Sequence, residues 1–202
     1  GPVLHDTLPH AVRWDMQIPL FTPERVRSLS REAARQGKTV KAQIKIETGL
    51  NRIGAWPGKQ LQEVIDALHQ CPNIQVVGAF THFAQETPED AFTKEQFAVF
   101  KEGVAQLEEA GFHLSYIHCC NTGASEWYRE ALDFSTHIRA GSLVLGYSDI
   151  ADGSNPMGLQ EMLSWRTTAS FIRHVEPGET VSYDRLFKAE KPTDIAVVSV
   201  GF

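Results

Sequence analysis

Along much of the chain, segments that alternate apolar and polar residues are followed by segments with apolar residues at helical spacing. The clearest alternating segment is Val40–Ile46, where apolar residues alternate with Lys41, Gln43 and Lys45. A period of two is typical of a β-strand with one apolar and one polar face. We predict further strands at Gln17–Leu20, Ile74–Phe80, Ser115–His118 and His137–Arg139.

Helices are predicted between these strands. Thr22 is a suitable N-cap and Pro23 suits the first turn, so a helix is expected from here to about Gln36. The other predicted helices cover about Lys59–Gln70, Pro88–Ala110 and Ser125–Leu132. Strands that alternate with helices indicate βαβ units and a parallel sheet. Five such strands suit part of a (β/α)8 TIM barrel, a fold that takes ~250 residues.

The pattern changes after Ser154, where strands follow one another without helices. The predicted strands lie within Leu163–Val175, Thr180–Tyr183 and Ile195–Val200. We therefore predict an α/β protein with a partial barrel domain over residues 1–154 and the beginning of a C-terminal β domain over residues 155–202. The final apolar strand has nothing downstream to cover it, so we expect a fragment that lacks the first barrel strands and most of the β domain.

The composition narrows the class of protein. With 42% hydrophobic and 22% charged residues, the 202-residue chain is typical of a globular protein. Its net charge of -6 argues against a nucleic-acid partner. No apolar run approaches the ~20 residues of a membrane span, and no secretory leader is visible. Three cysteines, two of them adjacent, do not form a disulfide framework, so we expect a cytoplasmic protein.

Polar residues follow the predicted strands, where the carboxyl ends of a parallel sheet commonly hold a ligand. Four of them could bind a phosphate through backbone amides, an amide side chain and hydroxyl groups: Asn121, Thr122, Gly141 and Ser142. Alternatively, Asn121 or Thr122 only caps a helix, and both roles are compatible. His118, Cys119 and Cys120 lack the spaced second pair of a structural zinc site, so we expect no metal.

Several segments together resemble the alanine racemase family in order and spacing. They are KIETGLNRIG, GAFTHFA, HCCNTGAS, HIRAGSLVLGY, ETVSYDRLFKAE and DIAVVSVGF. The resemblance covers Val40–Phe202, and more loosely Val3–Gly37. It implies an amino-acid racemase that uses pyridoxal 5'-phosphate (PLP) and two-base proton transfer to interconvert L- and D-alanine. It also implies a homodimeric full-length protein that supplies D-alanine for the cell wall.

The resemblance also implies roles for individual residues. Arg139 would face the pyridine nitrogen of the cofactor and keep it unprotonated, which favours reprotonation over transamination. Arg52 would bind the substrate carboxylate and the phenolic oxygen of the cofactor. Lys45 corresponds to a lysine that CO2 often carbamylates, which would hold Arg52 in place. In the alternative interpretation, Lys45 and Glu47 are solvated charges, and Glu47 pairs weakly with Arg52.

The two catalytic bases of the family are where this chain departs from the pattern. The family uses a lysine in a KANAYGHG-like motif, which is absent here, and a tyrosine, whose position is taken by Phe202. Phenylalanine cannot transfer a proton. His82 would support that catalytic tyrosine. We therefore expect this chain alone to be inactive. Two alternatives stay open: a catalytically impaired PLP-binding homologue, or another barrel PLP enzyme such as a decarboxylase or D-amino-acid aldolase.

Overall fold

The computed structural model of the protein describes residues 3–87, 90–148, 153–155 and 157–201. The chain divides into two compact units, residues 1–160 and 161–202. The first unit contains a parallel sheet with helices, and the second contains antiparallel strand pairs. The predicted α/β class is therefore confirmed. The predicted boundary between residues 154 and 155, with an incomplete second domain after it, stays a prediction.

Four parallel strands form the sheet of the first unit. They are β1 (Ile18–Leu20), β2 (Val40–Lys45), β3 (Ile74–Phe80) and β4 (Tyr116–His118). Their order in the sheet is also their order in the chain. Parallel neighbours need a crossover connection, and helices supply it between each successive pair. The carboxyl ends of all four strands consequently lie at one edge of the sheet.

In the part of the first unit that the structure describes, six α-helices accompany this sheet. They are α1 (Leu8–Arg13), α2 (Pro23–Arg35), α3 (Lys59–His69), α4 (Ala91–Glu109), α5 (Thr122–Trp127) and α6 (Arg129–Phe134). The predicted start of α2 is confirmed, since the Thr22 side chain accepts a hydrogen bond from the backbone N–H of Arg25 at 3.4 Å. Helix α1 was not predicted, and the single helix predicted near Ser125–Leu132 is two helices that meet at Tyr128. The predicted start of α4, Pro88, lies outside the described residues.

The core of the first unit lies between one face of the sheet and the helices. Strand β2 contributes Ala42 and Ile44 to this core, and helices α2, α3 and α4 contribute Leu29, Ile65 and Phe97, all of them buried. The alternation along β2 turns its polar residues to the opposite face of the sheet. This polar face, which carries Lys41, Gln43 and Lys45, is the inner face of a barrel in the predicted fold.

The predicted fifth strand, His137–Arg139, is wrong: in the described structure these residues form no regular strand. The backbone N–H groups of Thr136 and Arg139 donate to the carbonyls of Ile117 and Cys120, at 2.7 and 3.0 Å. However, the hydroxyl of Thr136 accepts the N–H of Ile117 at 2.8 Å. The Thr136 hydroxyl thus accepts the Ile117 N–H, which a neighbouring strand would otherwise bind through a backbone carbonyl. The segment therefore runs beside β4 without a continuous ladder of backbone hydrogen bonds.

The second unit consists of two antiparallel strand pairs. Strand β5 (Ala169–Val175) pairs with β8 (Thr193–Val198), and β6 (Thr180–Val181) pairs with β7 (Phe187–Lys188). The predicted β-rich character is confirmed. The first strand is shorter than predicted, and β7 was not predicted.

Candidate active site

A cavity of about 440 Å³ opens at the carboxyl ends of β2 and β3. A volume of this size is within the range of small-molecule sites, ~300–1,000 Å³. The residues that line it are Pro19, Lys45, Arg52, Ile53, Phe80, His82 and Arg139. Three of these side chains are basic and none is acidic, so the lining favours an anionic ligand. The predicted site residues Lys45, Arg52, His82 and Arg139 are thus brought together.

The register of the sheet sets one layer of side chains beneath this cavity. Lys45, Phe80 and His118 are partners across β2, β3 and β4. The Phe80 and His118 rings stack with centroids 5.1 Å apart and planes at 11°. The Phe80 centroid also lies 5.9 Å from the Lys45 ammonium and 5.8 Å from the Arg139 guanidinium carbon. Cations at this distance from an aromatic ring are attracted to its face.

Lys45 is buried at the end of β2, with only 2% of its surface exposed. Its ammonium donates to the carbonyl of Ile46 at 2.7 Å and to the hydroxyl of Thr81 at 3.2 Å. Burial lowers the pKa of Lys45 to about 8, with Arg139 adding to this and Glu47 opposing it. The interpretation of Lys45 as a solvated surface charge is therefore wrong.

Glu47 is also buried, with 3% of its surface exposed. Its carboxylate accepts the backbone N–H groups of Thr48 and Gly49 at 2.9 and 2.8 Å. Burial alone would raise the pKa of Glu47, but these backbone hydrogen bonds and Lys45 outweigh it and lower the pKa. Among the described residues, no ion pair joins Glu47 to Arg52. Glu47 therefore orders the loop after β2, while Arg52 is exposed at the cavity.

Arg139 is held by acceptors from two strand ends. Its Nη1 donates to Nδ1 and to the carbonyl of His118, at 2.7 and 3.0 Å. Its Nη2 donates to the carbonyl of Thr81 at 2.6 Å and lies 3.4 Å from Nδ1 of His82. A planar guanidinium with several fixed acceptors has a defined orientation. Side-chain hydrogen bonds thus orient Arg139, rather than the strand that the sequence predicted.

His82 follows β3 and is half-buried. Burial lowers its pKa, and the cations Arg139, Arg52 and Lys45 lower it further, so the imidazole is neutral near pH 7. A neutral imidazole can accept a hydrogen bond from a tyrosine hydroxyl. The residue at the expected tyrosine position, Phe202, lies outside the described residues, so the predicted role of His82 stays a prediction.

The predicted phosphate-binding residues are only partly brought together. The backbone N–H of Gly141 donates to the hydroxyl of Thr122 at 3.0 Å, and Thr122 is only 5% exposed. Asn121 caps α5, since its side chain accepts the N–H of Ala124 at 3.3 Å, as in the helix-cap interpretation. Its amide also donates to Glu86, a contact that the sequence did not indicate. Ser142 begins a short 3-10 helix, Ser142–Leu145.

Sequence reasoning missed the roles of Thr81 and His118, two polar residues that contact this site. Thr81 accepts the Lys45 ammonium and hydrogen bonds to the Thr48 hydroxyl at 2.8 Å. His118 was considered only as a metal ligand, yet it contacts Arg139 and, through Nε2, the Gln43 amide oxygen at 2.7 Å. The polar alternation along β2 was the signal that could have drawn attention to Gln43.

Comparison with known proteins identifies the family. A family model of the alanine racemase N-terminal domain matches residues 1–149, and one of the C-terminal domain matches residues 162–202. The chain belongs to the alanine racemase family. An alanine racemase of Treponema denticola is 31% identical over all of this chain and 53% of its own length. One of Clostridium tetani is 31% identical over 95% of this chain and 50% of its own length.

Solved structures of racemases share the fold. The alanine racemase of Bacillus anthracis with bound L-Ala-P has a TM-score of 0.80 at 25% identity, over all of this chain and 52% of that one. A histidine racemase of Leuconostoc mesenteroides has a TM-score of 0.75 at 19% identity, over all of this chain and 54% of that one. The chain spans about half the length of the relatives it matches. The predicted partial barrel followed by a β-rich segment is therefore confirmed as the fold of this family.

Within the part of the chain that the structure describes, no three or more His, Cys, Asp or Glu side chains are grouped to hold a metal ion. In that same part, no helix is long and apolar enough to cross a membrane.

Proposed function

We propose that the full-length protein is an amino-acid racemase that binds PLP and interconverts L- and D-alanine. The observation that carries the proposal is the cavity with three basic side chains and no acidic one, at the carboxyl edge of a sheet with this family's fold. PLP and an amino acid together present a phosphate and a carboxylate, which match that charge. Membership of the alanine racemase family favours this activity over a decarboxylase or aldolase.

The residues present fit PLP. The Arg139 guanidinium stays protonated at neutral pH and can only donate hydrogen bonds. It would therefore donate to the pyridine nitrogen of PLP, which would accept without being protonated. The Thr122 hydroxyl accepts the Gly141 N–H and so keeps its own proton to donate to the phosphate, with Asn121 and Ser142 beside it in the site. The Asn121 amide donates to the Glu86 carboxylate and would have to turn from it to reach the phosphate. When bound, PLP withdraws electrons from the substrate Cα and so acidifies its proton. Arg52, exposed at the cavity, would bind the substrate carboxylate.

The environment of Lys45 supports carbamylation. CO2 reacts with a neutral amine, and a lysine with a pKa of about 8 is neutral in roughly a tenth of molecules at pH 7. An ordinary lysine is neutral in fewer than about one in a thousand. The carbamate would be an anion close to the guanidinium groups of Arg52 and Arg139, and it would hold Arg52 in place by electrostatic attraction. Intact-mass or peptide spectra of the native protein that lack the CO2 adduct at Lys45 would count against this assignment.

We also propose that the protein works in the cytoplasm as a homodimer. The three cysteines of the sequence are all thiols in the structure, which suits a reducing compartment. The homodimer is supported by the family resemblance, in which the partner subunit supplies the tyrosine. Sedimentation of the full-length protein as a monomer at micromolar concentration would exclude this part of the proposal.

The activity is tested on the full-length protein by its visible absorbance with PLP and by conversion of L- to D-alanine. We expect Arg52→Gln to lower kcat/KM for alanine at least ~10-fold, because a charge-assisted hydrogen bond contributes ~1.5–3 kcal/mol. The matched control is Arg129→Gln, which removes an arginine whose side chain is 82% exposed and which pairs with Asp133. Full activity of Arg52→Gln, or no PLP binding by the wild type, would contradict the proposal.

A PLP-binding homologue without racemase activity is the second candidate, and Phe202 is the observation that favours it. In this case PLP binds, and L-alanine is not converted to D-alanine. Deuterium exchange at Cα without inversion would indicate that one base survives. Phe202→Tyr, which supplies the missing hydroxyl, should then create or raise racemisation. Racemisation of alanine by the wild type would exclude the second candidate, and a Phe202→Tyr variant that changes neither the racemisation rate nor the exchange rate would exclude Phe202 as the cause of the lost activity.

A further inference from the structure

A row of four polar side chains crosses the inner face of the sheet and ends at the cavity. The amide of Gln43 donates to the amide oxygen of Gln17 at 2.6 Å. The amide oxygen of Gln43 lies 2.7 Å from Nε2 of His118. Nδ1 of the same ring lies 2.7 Å from Nη1 of Arg139. Gln17, Gln43, His118 and Arg139 are thus joined in one chain of hydrogen bonds, called here the polar row.

The chemistry of the groups determines the direction of each hydrogen bond. A guanidinium only donates, so Nδ1 of His118 accepts from Arg139 and carries no proton. The neutral imidazole then has its proton on Nε2 and donates it to the Gln43 oxygen. This leaves the Gln43 NH2 group to donate to Gln17. Burial and the adjacent Arg139 lower the pKa of His118 to about 4, which agrees with a neutral ring.

The sheet gives Gln43 the room to reach His118 two strands away. In the register, Gln43 of β2 is opposite Gly78 of β3, which is opposite Tyr116 of β4. Gly78 has no side chain to block the path, and a Cβ there would lie 2.3 Å from the carbonyl oxygen of Tyr116. The stack of Phe80 on His118 sets the plane of the ring, and the bond from Gln43 sets its rotation within that plane.

We propose that Gln43 is a positioning residue for the cofactor site: its amide oxygen holds the His118 ring so that Nδ1 orients the Arg139 guanidinium. The link to PLP depends on the function proposed above. The polar row itself does not, because it is formed by side chains of this chain alone. Gln43 touches neither the cofactor nor the substrate in this role and acts only through His118.

The proposal is tested with the Gln43→Glu variant of the full-length protein. A carboxylate next to Nε2 favours the imidazolium, whose Nδ1 is protonated and cannot accept from Arg139. The other groups that act on the charge of His118 are Arg139 and His137, and both lower its pKa. We expect the midpoint of the His118 titration, followed by histidine 15N NMR, to rise by about one pH unit or more. With the His118 midpoint raised from about 4 to about 5, the variant should bind PLP roughly threefold more weakly than wild type at pH 4.5 and equally well at pH 8, where the ring is neutral.

Two further variants complete the experiment. Gln75→Glu makes the same change at an exposed glutamine of β3 and should leave the His118 titration and PLP affinity unchanged. Gln43→Met removes the acceptor without adding charge. The Gln43→Met variant should leave the His118 ring neutral, speed exchange of its Nε2 proton with solvent and weaken PLP binding at both pH values. This variant tests the positioning role even if Gln43→Glu does not fold.

Each result supports or overturns a defined part of the proposal. A wild-type His118 with its proton on Nδ1 would overturn the polar row. Wild-type titration and PLP affinity in both Gln43 variants would overturn the positioning role while leaving the proposed function intact. A wild-type protein that does not bind PLP would overturn the proposed function and the cofactor link, and the NMR signals would still decide whether Gln43 orients His118.

Discussion

Replacing Lys45 by methionine should stabilise the folded protein at neutral pH. The side chain is 2% exposed, and burial lowers its pKa from 10.5 to about 8. That difference of about 2.5 corresponds to roughly 3 kcal/mol, at about 1.4 kcal/mol for each pH unit. Methionine has a similar shape and no charge, but it loses the two hydrogen bonds to Ile46 and Thr81, which at about 1 kcal/mol each offset about 2 kcal/mol. The expected net gain in the free energy of unfolding at pH 7 is about 1 kcal/mol.

The pH dependence has a definite sign. Below pH 8 both the folded and the unfolded protein carry the Lys45 ammonium, and the folded state bears the full cost of burying it. Between pH 8 and 10.5 the unfolded chain binds more protons than the folded protein, so the free energy of unfolding rises with pH. The advantage of Lys45→Met over wild type should therefore be constant below pH 8 and shrink above it.

The assay is urea unfolding of the full-length protein between pH 6.5 and 10 in CO2-free buffer, since a carbamate would replace the ammonium by an anion. Differences between variant and wild type cancel the titration of unrelated groups. Lys41→Met is the matched control, because Lys41 is on the same strand and the same face but is exposed. A Lys45→Met variant that is less stable than wild type at pH 7, or a difference that does not vary between pH 8 and 10, would refute the reasoning.

Three further predictions follow from the sheet and the predicted phosphate site. Gly78→Ala should lower the urea midpoint and speed amide exchange in β4, because its Cβ would lie 2.3 Å from the Tyr116 carbonyl oxygen; unchanged exchange would contradict this. Thr22→Ala should lower the free energy of unfolding by ~1 kcal/mol through loss of the helix cap, measured by urea unfolding. Thr122→Val should weaken PLP binding roughly tenfold in an absorbance titration, through loss of one hydroxyl of the site; wild-type affinity would remove Thr122 from it.

The sequence predicted the elements whose signal is local. The polar–apolar period of Val40–Ile46 and the Thr22–Pro23 cap each depend on a few neighbouring residues, and the structure has both features. The burial of Lys45 could also be predicted from the sequence, because a lysine on the inner face of a strand must find partners or lose its charge. Local pattern therefore predicted four strands, the order of the elements and the edge where the candidate site lies.

The sequence could not predict features that depend on register or on competing hydrogen bonds. The link from Gln43 to His118 depends on the alignment of three strands and on the space at Gly78. The apolar–polar pattern of His137–Arg139 resembles a strand, but the Thr136 hydroxyl competes for the backbone of β4. Such contacts join residues far apart in sequence, and no local pattern indicates which of them forms.

The aromatic ring of Phe80 has a consequence for engineering the cavity. Two cations that repel each other are both drawn to the electron-rich face of the same ring. Fluorinated phenylalanines keep the shape of the ring while they withdraw its electron density, so they would weaken both attractions together and leave the packing almost unchanged. The electrostatics of this pocket can therefore be adjusted gradually at a position that carries no charge of its own.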